Sequence, residues 1–222
     1  DKAESRGLGD VYKRQKWKTA GDSITAALRL ARPDSKNILI VGAGTVGQSL
    51  FDAYSAAFPK ANFLVWNRTH ERALYMVKNK SNAVAVENLE AGVKRADIIT
   101  CATMSKQPII KGEWLIPGQH LDLIGAYRPD MREVDDLALC RSTKFVDSYD
   151  TTLDHIGELK IPLKNNVISR EDILADFYGL GNFIRRSNDE ITFFKNGGGA
   201  HLDLIVAKYI LTAWEKNKYP KS

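Results

Sequence analysis

Three glycines, Gly42, Gly44 and Gly47, follow directly on the apolar run of residues 38–41. This order predicts a buried strand that turns sharply into a helix. In such a turn the first glycine permits the tight bend, the second lets a ligand approach the backbone without meeting a Cβ, and the third lets the helix pack close to the strand. The spacing is therefore typical of a turn that binds the pyrophosphate of a dinucleotide.

The start of the helix that follows provides the second part of this chemistry. The helix is predicted to begin near Thr45, so the N–H groups of its first turn, which includes Val46, have no partner within the helix. Together with the positive end of the helix dipole, these groups hold phosphate oxygens. Glycines at this spacing also occur in ordinary turns, so the neighbouring elements must decide between the two interpretations.

The next predicted strand, residues 62–66, ends in polar residues that bear on the choice of cofactor. In dinucleotide folds an acidic residue about 20 positions after the glycines binds the ribose 2′-hydroxyl, whereas an arginine accommodates a 2′-phosphate. Here Asn67, Arg68 and Thr69 follow the strand, and Glu71 falls in the first turn of the next predicted helix. A charge-assisted hydrogen bond contributes roughly 1.5–3 kcal/mol, or about one to two decades of affinity. The sequence thus predicts NADP(H) rather than NAD(H), with a solvated surface arginine as the alternative.

The rest of the chain alternates between short apolar runs and helical patterns. Further strands are predicted at residues 83–86, 98–101, 120–124, 144–147 and 190–194, and helices at residues 19–31, 49–58, 69–79, 89–95, 171–180 and 200–216. Strands that alternate with helices form a parallel sheet covered by helices on both faces. The predicted fold class is therefore α/β, a Rossmann-like doubly wound parallel sheet with flanking helices.

Three residues follow the predicted strand 98–101, at the sheet edge where open α/β sheets bind ligands. They are Ala102, Thr103 and Met104. We predict that their backbone contacts the cofactor, and a plain loop is the alternative. Two single residues also have open interpretations. Lys195, at a predicted strand end, either offers positive charge to a carboxylate or phosphate or is solvated, and His201, at a predicted helix start, either approaches a substrate or caps the helix.

Composition excludes several classes of function. A length of 222 residues with 44% hydrophobic residues allows one or two domains with a substantial core. The net charge of +5 is scattered along the chain, so we expect no nucleic-acid binding. Cys101 and Cys140 lack metal-ligand spacing and predict buried thiols in a reducing compartment, with no disulfide and no metal site. Because no apolar run approaches about 18 residues, we expect no membrane association and a cytoplasmic location.

Several motifs in register make the chain similar to a known family. They are Trp66-Asn67-Arg68-Thr69, then Gly125-Ala126 with Arg128-Pro129-Asp130 and Arg132-Glu133, then Val146-Asp147-Ser148, then Thr192 with Phe194-Lys195. In this order they resemble the ornithine cyclodeaminase/mu-crystallin family over about residues 18–214, and most closely its mu-crystallin or imine-reductase branch. The resemblance implies reduction of cyclic ketimines such as Δ1-pyrroline-2-carboxylate, or cyclisation of ornithine to proline with loss of ammonia.

The resemblance also implies roles for single residues. Family members have arginine and threonine where this chain has Lys18 and Thr19, the first helping to hold the substrate carboxylate and the second lying near the cofactor. Lysine keeps the charge but loses the two-pronged geometry of arginine, and the alternative is that Lys18 merely precedes a helix cap. Tyr127 stands where ornithine-cyclising members have an aspartate, and a neutral phenol gives an ammonium group no counter-charge, which argues against the cyclodeaminase reaction. We interpret Asp130 and Glu133 as hydrogen-bond acceptors that fix their loop.

We divide the chain into three segments. Residues 1–15 lack periodicity, and residues 7–15 resemble translated adapter sequence, so we expect a non-native or disordered leader. Residues 16–199 are expected to form the NADP-binding Rossmann domain. By the resemblance, residues 200–222 form a C-terminal helix that packs on an N-terminal substrate and dimerisation domain. We expect that domain to be largely missing from this chain and to carry the catalytic residues.

The predicted C-terminal helix would then expose an apolar face. This face consists of Leu202, Ile205, Val206, Tyr209 and Ile210. We therefore expect the fragment alone to be inactive and to associate through that face, whereas the complete protein is expected to be a homodimer.

The sequence is compatible with three functions. The leading hypothesis is an NADPH-dependent reductase of cyclic imino acids. The alternatives are an ornithine cyclodeaminase and a non-catalytic NADPH-binding protein. In each case the partner is a small molecule, either a cyclic imino acid, an amino acid or the cofactor itself.

Overall fold

The computed structural model describes residues 18–198, which form a sheet of eight strands in the order β3-β2-β1-β4-β5-β8-β6-β7. Every pairing of neighbouring strands in it is parallel. The strands are β1 (Asn37–Val41), β2 (Asn62–Trp66), β3 (Ala83–Ala85), β4 (Ile98–Cys101), β5 (His120–Leu123), β6 (Thr143–Val146), β7 (Ile173–Ala175) and β8 (Thr192–Lys195).

Helices cover both faces of this sheet, so the predicted Rossmann-like doubly wound fold is confirmed. They are α1 (residues 18–30), α2 (Thr45–Ala57), α3 (His70–Val77), α4 (Leu89–Arg95), α5 (Asp136–Cys140), α6 (Tyr149–Thr152) and α7 (Gly157–Lys164). Short 3-10 turns lie at Gly112–Trp114, Arg170–Asp172 and Phe177–Asn182.

Alternate residues of the central strand β1 pack on opposite faces of the sheet. Ile38 and Ile40 belong to the core formed with α1, α2 and α3, whereas Leu39 and Val41 belong to the core formed with α4, α5 and α7. Because side chains alternate along a strand, a strand covered on both faces has a continuous apolar sequence. Full burial of each such side chain contributes about 1.5–3 kcal/mol, which holds the glycine turn after β1 on a rigid element.

The strand order reverses beside β1. From β1 the chain passes through α2 to β2 and through α3 to β3 on one side, and then through α4 to β4 on the other side. The connections that leave β1 and β4 therefore diverge at the carboxyl edge of the sheet. Ligands of open α/β sheets bind in the crevice at such a point.

A buried carboxylate fastens α1 and α2 to the sheet. Asp122 of β5 accepts hydrogen bonds from the hydroxyls of Ser23 in α1 (2.9 Å) and Tyr54 in α2 (3.0 Å). The hydroxyl of Thr100 in β4 donates a third bond to it at 2.7 Å. Burial raises the pKa of Asp122 to about 6, although the three hydroxyl donors oppose this shift. The network fixes both helices against the strands that carry the crevice.

Two predictions are wrong in this part of the chain. The segment predicted as a helix at residues 171–180 contains β7, which is followed by a 3-10 turn. Ile173 and Ala175 are buried beside β6, whereas Leu174 between them is exposed. This alternation is typical of a strand. The second error is Cys140, which is exposed at the end of α5, whereas Cys101 is buried in β4 as predicted.

The leader of residues 1–15, His201 and the C-terminal helix with its apolar face lie outside the described residues. Within residues 18–198 no helix combines the length and the apolar character that a membrane span requires. The same part of the chain contains no cluster of histidine, cysteine and acidic side chains that could hold a metal ion.

Candidate functional site

A crevice of about 350 Å³ opens at the carboxyl ends of β1, β2 and β4. It brings together eight of the residues predicted to bind a cofactor, namely Gly42, Gly44, Asn67, Arg68, Thr69, Ala102, Thr103 and Met104. Four residues that were not predicted complete its lining, namely Trp66, Arg72, Ser105 and Ile109. The crevice therefore lies at the reversal of strand order, where the fold predicts a ligand.

Each glycine of the turn is required, or tolerated, for a different geometric reason. Gly42 has a φ of 110°, and a Cβ there would lie 2.7 Å from the carbonyl oxygen of Ala102. A Cβ on Gly47 would lie 1.9 Å from the carbonyl oxygen of Gly42, so α2 packs directly on the turn. A Cβ on Gly44 would meet no atom within 4 Å. The first and third glycines thus serve the fold, whereas the space beside Gly44 is open to a ligand.

The helix start beside this space offers free backbone donors. Gly44 is the N-cap of α2, with φ −91° and ψ −169°, and no side chain caps the helix. Thr45 and Val46 are exposed in its first turn, while Gly47 is buried. Since the first N–H groups of a helix have no partner within it and carry the positive end of the dipole, this position suits an anion.

Asn67 joins the glycine turn to the end of β2. Its Oδ1 accepts from the backbone N–H of Ala43 at 3.0 Å, and its Nδ2 donates to the carbonyl of Thr69 at 2.9 Å. The N–H of Gly42 also donates to the carbonyl of Trp66 at 2.8 Å. The Asn67 side chain therefore ties the glycine turn to the end of β2, and its predicted role toward the cofactor stays a prediction.

Two arginines give this end of the crevice a positive charge. Arg68 is exposed and follows β2, and Arg72 lies four residues later in the first turn of α3. No residue lining the described crevice has a carboxylate side chain. Arg72 was missed by the sequence reasoning, although it lies in the first turn of the helix that begins two residues after Arg68.

The loop after β4 forms the opposite wall of the crevice. The backbone N–H and the hydroxyl of Thr103 both donate to Oε1 of Glu133 at 2.8 Å. The other oxygen of Glu133 accepts from the N–H groups of Gly125 at 2.8 Å and Ala126 at 3.1 Å. The interpretation of Glu133 as a loop-fixing acceptor is confirmed.

At the surface, Asp130 fixes the loop after β5 and links it to the loop after β4. It accepts from Arg128 Nε at 2.9 Å and Nη2 at 2.7 Å, and Lys106 lies 3.0 Å away. These bonds, led by the two from Arg128, hold the pKa of Asp130 well below its usual range. Tyr127 is exposed just before this cluster, after the end of β5.

The interpretation of Lys195 as a solvated lysine is wrong, because its side chain is fully buried. Its ammonium group donates to the carbonyls of Leu123 at 2.9 Å and Asn196 at 2.8 Å. Burial lowers the pKa of Lys195, and the carboxylates of Glu133 and Glu158 oppose that shift. The lysine is thus a structural counter-charge beneath the sheet edge.

Lys18 and Thr19 lie at the start of the described part of α1, outside the crevice lining. The side chain of Asn196 donates to the carbonyl of Thr19 at 3.2 Å, which ties this helix start to the end of β8. Both residues therefore lie near the carboxyl edge of the sheet, and their roles toward substrate and cofactor stay predictions.

The chain is similar to known proteins over most of its length. Residues 14–218 match the model of the ornithine cyclodeaminase/mu-crystallin family. The chain is 50% identical over 202 residues to a Δ1-pyrroline-2-carboxylate reductase of Paracoccus denitrificans, an alignment that covers 87% of this chain and 64% of the relative. The chain spans less than two thirds of the length of the curated relatives it matches.

Two solved structures are also similar. One is the Δ1-pyrroline-2-carboxylate reductase of Thermococcus litoralis in complex with NADH and L-proline, with 31% identity, a TM-score of 0.81, and coverage of 86% of this chain and 62% of that one. The other is an archaeal alanine dehydrogenase dimer with bound NAD, with 27% identity, a TM-score of 0.84, and coverage of 92% and 66%.

Proposed function

Because the chain belongs to the ornithine cyclodeaminase/mu-crystallin family, we propose that the complete protein reduces the C=N bond of a cyclic imino acid with a reduced nicotinamide dinucleotide. The observation that carries this proposal is the crevice in which the glycine turn, the polar end of β2 and the loop after β4 meet. The name of the 50% identical relative and the NADH and L-proline of the archaeal structure support it.

The residues of the crevice fit a dinucleotide. The open space beside Gly44 and the free N–H groups at the start of α2 suit a pyrophosphate. The backbone of Thr103 and Met104, on the opposite wall, would guide the remainder of the molecule toward the middle of the sheet edge. When bound, the cofactor supplies the hydride that reaches the imine carbon, while the imine nitrogen ends with a proton. The contribution of this chain is binding and orientation.

We propose NADP(H) as the preferred cofactor. The solved relatives contain NADH and NAD, so the preference rests on the residues of this chain alone. Arg68 and Arg72 lie where the adenosine ribose is expected, and among residues 18–198 no carboxylate lines the crevice to bind a free 2′-hydroxyl. Because Arg68 is exposed, solvent screening places its contribution at the lower end of the range for charge-assisted bonds, roughly tenfold in affinity.

Substrate binding and assembly extend the proposal to the complete protein. We propose that Lys18 pairs with the substrate carboxylate, that the reacting groups lie in a segment outside this chain, and that two copies associate, as in the archaeal dimer. The cyclodeaminase alternative is disfavoured by Tyr127, which is exposed at the position of the family aspartate and brings no charge for an ammonium group.

The test is a titration of this chain with NADPH and NADH, repeated for Arg68→Ala. We expect the variant to lose about tenfold in affinity for NADPH and to keep its affinity for NADH. Arg95→Ala is the matched control, because Arg95 is an exposed arginine at the end of α4 and does not line the crevice. Equal affinities of the wild-type chain for the two cofactors would contradict the proposed preference.

The reaction is tested on the complete protein by following oxidation of NADPH with Δ1-pyrroline-2-carboxylate. Turnover is the expected result. Proline and ammonia formed from ornithine would instead establish the cyclodeaminase. Tight NADPH binding with no turnover of any cyclic ketimine would identify a non-catalytic binder.

A further inference from the structure

The buried carboxylate of Glu133 fixes one wall of the crevice. Glu133 is fully buried and lies outside the crevice lining. Its two oxygens accept the four hydrogen bonds described above, two from Thr103 in the loop after β4 and two from Gly125 and Ala126 in the loop after β5. Bonds to a charged acceptor are shorter and stronger than neutral ones, so this group is a firm link between the two loops.

The backbone around Glu133 holds the far end of the same wall. Its carbonyl accepts from the N–H groups of Ile109 and Ile110, both at 3.0 Å, and the N–H of Arg132 donates to the carbonyl of Ser105 at 3.1 Å. The wall residues at positions 103, 105 and 109 are therefore all bonded to residues 132 and 133. We name this segment, residues 103–109, the crevice wall.

The two loops also touch directly. A Cβ on Gly125 would lie 2.0 Å from the carbonyl oxygen of Thr103 and 2.4 Å from Oε1 of Glu133. No side chain fits between the loops, so the crevice wall cannot shift toward the loop after β5. A shift the other way, into the space where the dinucleotide is proposed to lie, is opposed chiefly by the hydrogen bonds that Glu133 accepts, together with the Arg132–Ser105 bond and the Lys106–Asp130 ion pair.

Glu133 is itself fixed by a second buried acid. Oε2 of Glu158 accepts from the N–H of Glu133 at 2.7 Å, and Oε1 accepts from the N–H of Val134 at 3.1 Å. The buried ammonium group of Lys195 balances part of this negative charge. The support of the crevice wall is thus continuous from α7 through Glu133 to Thr103.

We propose that Glu133 is a positioning residue for the cofactor, which sets the affinity for the dinucleotide without touching it. The inference rests on the proposed function, since it requires a dinucleotide in the crevice. The crevice wall faces the part that NADPH and NADH share, so Glu133 acts on both cofactors equally. Arg68 and Arg72 act on the 2′-phosphate alone.

The test is Glu133→Gln in this chain, with titration of both cofactors and a denaturation curve. Glutamine has the same shape but turns an NH2 group toward a backbone N–H, so at least one loop is released. We expect affinity for NADPH and for NADH to fall by the same factor, roughly ten- to a hundredfold. A fall for NADPH alone, or unchanged affinity in the folded variant, would overturn the proposal.

Asp97→Asn is the matched control for stability. Asp97 also accepts backbone bonds, from Lys36 at 2.8 Å and Asn37 at 2.9 Å, and it pairs with Arg32 at 2.7 Å. It lies before β4, at the opposite edge of the sheet from the crevice. We expect this variant to unfold more easily while it binds both cofactors with wild-type affinity, a separation that a merely structural role of Glu133 would not produce.

Two measurements decide the matter if Glu133→Gln does not fold. Thr103→Val removes only the hydroxyl donor to Glu133, and we expect a smaller, equal loss for both cofactors. In the wild-type chain without cofactor, the amide hydrogens of Thr103 and Gly125 should exchange slowly with solvent, and rapid exchange would show that the wall is not held. If the wild-type chain binds neither cofactor, the proposed function fails instead.

Discussion

Gly44→Ala separates the binding role of the glycine turn from its structural role. Gly44 has extended backbone angles that alanine adopts freely, and its added Cβ would meet no protein atom within 4 Å. Loss of glycine at a helix N-cap costs up to about 1 kcal/mol, and the reduced entropy of the unfolded chain returns about 0.4–1 kcal/mol. The free energy of unfolding should therefore stay close to that of the wild type.

Cofactor binding should respond in the opposite way. The new Cβ occupies the space in which a pyrophosphate would approach the N–H groups at the start of α2. Loss of two hydrogen bonds to a charged group, at roughly 1.5–3 kcal/mol each, lowers affinity by at least about a hundredfold. NADPH and NADH share this part, so both should be affected.

The assay combines a cofactor titration with thermal denaturation, and Trp66 in the crevice lining offers a fluorescence signal for the titration. Gly47→Ala is the contrasting variant. Its Cβ would lie 1.9 Å from the Gly42 carbonyl oxygen, so α2 must move and stability should fall by roughly 1–3 kcal/mol or more. If Gly44→Ala binds NADPH as the wild type does, no ligand approaches this backbone and the assignment of the crevice is refuted.

Two further predictions concern the buried charges behind the crevice. Burial, and next the charge of Glu133, raise the pKa of Glu158 from 4.5 to about 7. The folded state therefore binds the proton more tightly than the unfolded state, and this contribution to stability is complete below pH 4.5 and lost as the pH rises through about 7, at most about 3 kcal/mol. Urea unfolding at several pH values should show that Glu158→Gln loses less stability over this interval than the wild type or the exposed control Glu113→Gln, and identical profiles would contradict the reasoning. Lys195→Met removes the buried counter-charge and should cost about 3–5 kcal/mol of unfolding free energy, whereas an unchanged denaturation midpoint would show that the neighbouring carboxylates do not need it.

The sequence predicted the strands that are mostly apolar. The predicted bounds of the second and fourth strands, residues 62–66 and 98–101, are those of β2 and β4. Such strands are buried on both faces, so their sequence alone distinguishes them from their surroundings. β7 was missed because its three residues fall inside the helical pattern of residues 171–180, and pairing with β6 decides its structure. The helix α7 was missed as well, since Pro162 lies within it and proline normally indicates a helix end.

The candidate site also has one part that the sequence predicted and one part that it did not. The glycine turn and the end of β2 were predicted from residues that lie close together in the sequence, and the structure brings them into one crevice. Lys195 was misjudged because a lysine at a strand end is normally exposed. Its burial depends on Glu133 and Glu158, which lie 62 and 37 positions earlier in the chain. No local pattern contains that information.

The two sides of the crevice are held in place by different contacts. The side formed by the glycine turn is held by the bond between Ala43 and Asn67, whereas the crevice wall is held by the bonds from Thr103 to Glu133. The two sides have separate supports, so changes in them should act independently on the same bound cofactor. Arg68→Ala should alter only the discrimination between the cofactors. Combined with Glu133→Gln, its free-energy effect on NADPH binding should add, and strong non-additivity would show that the two sides move as one body.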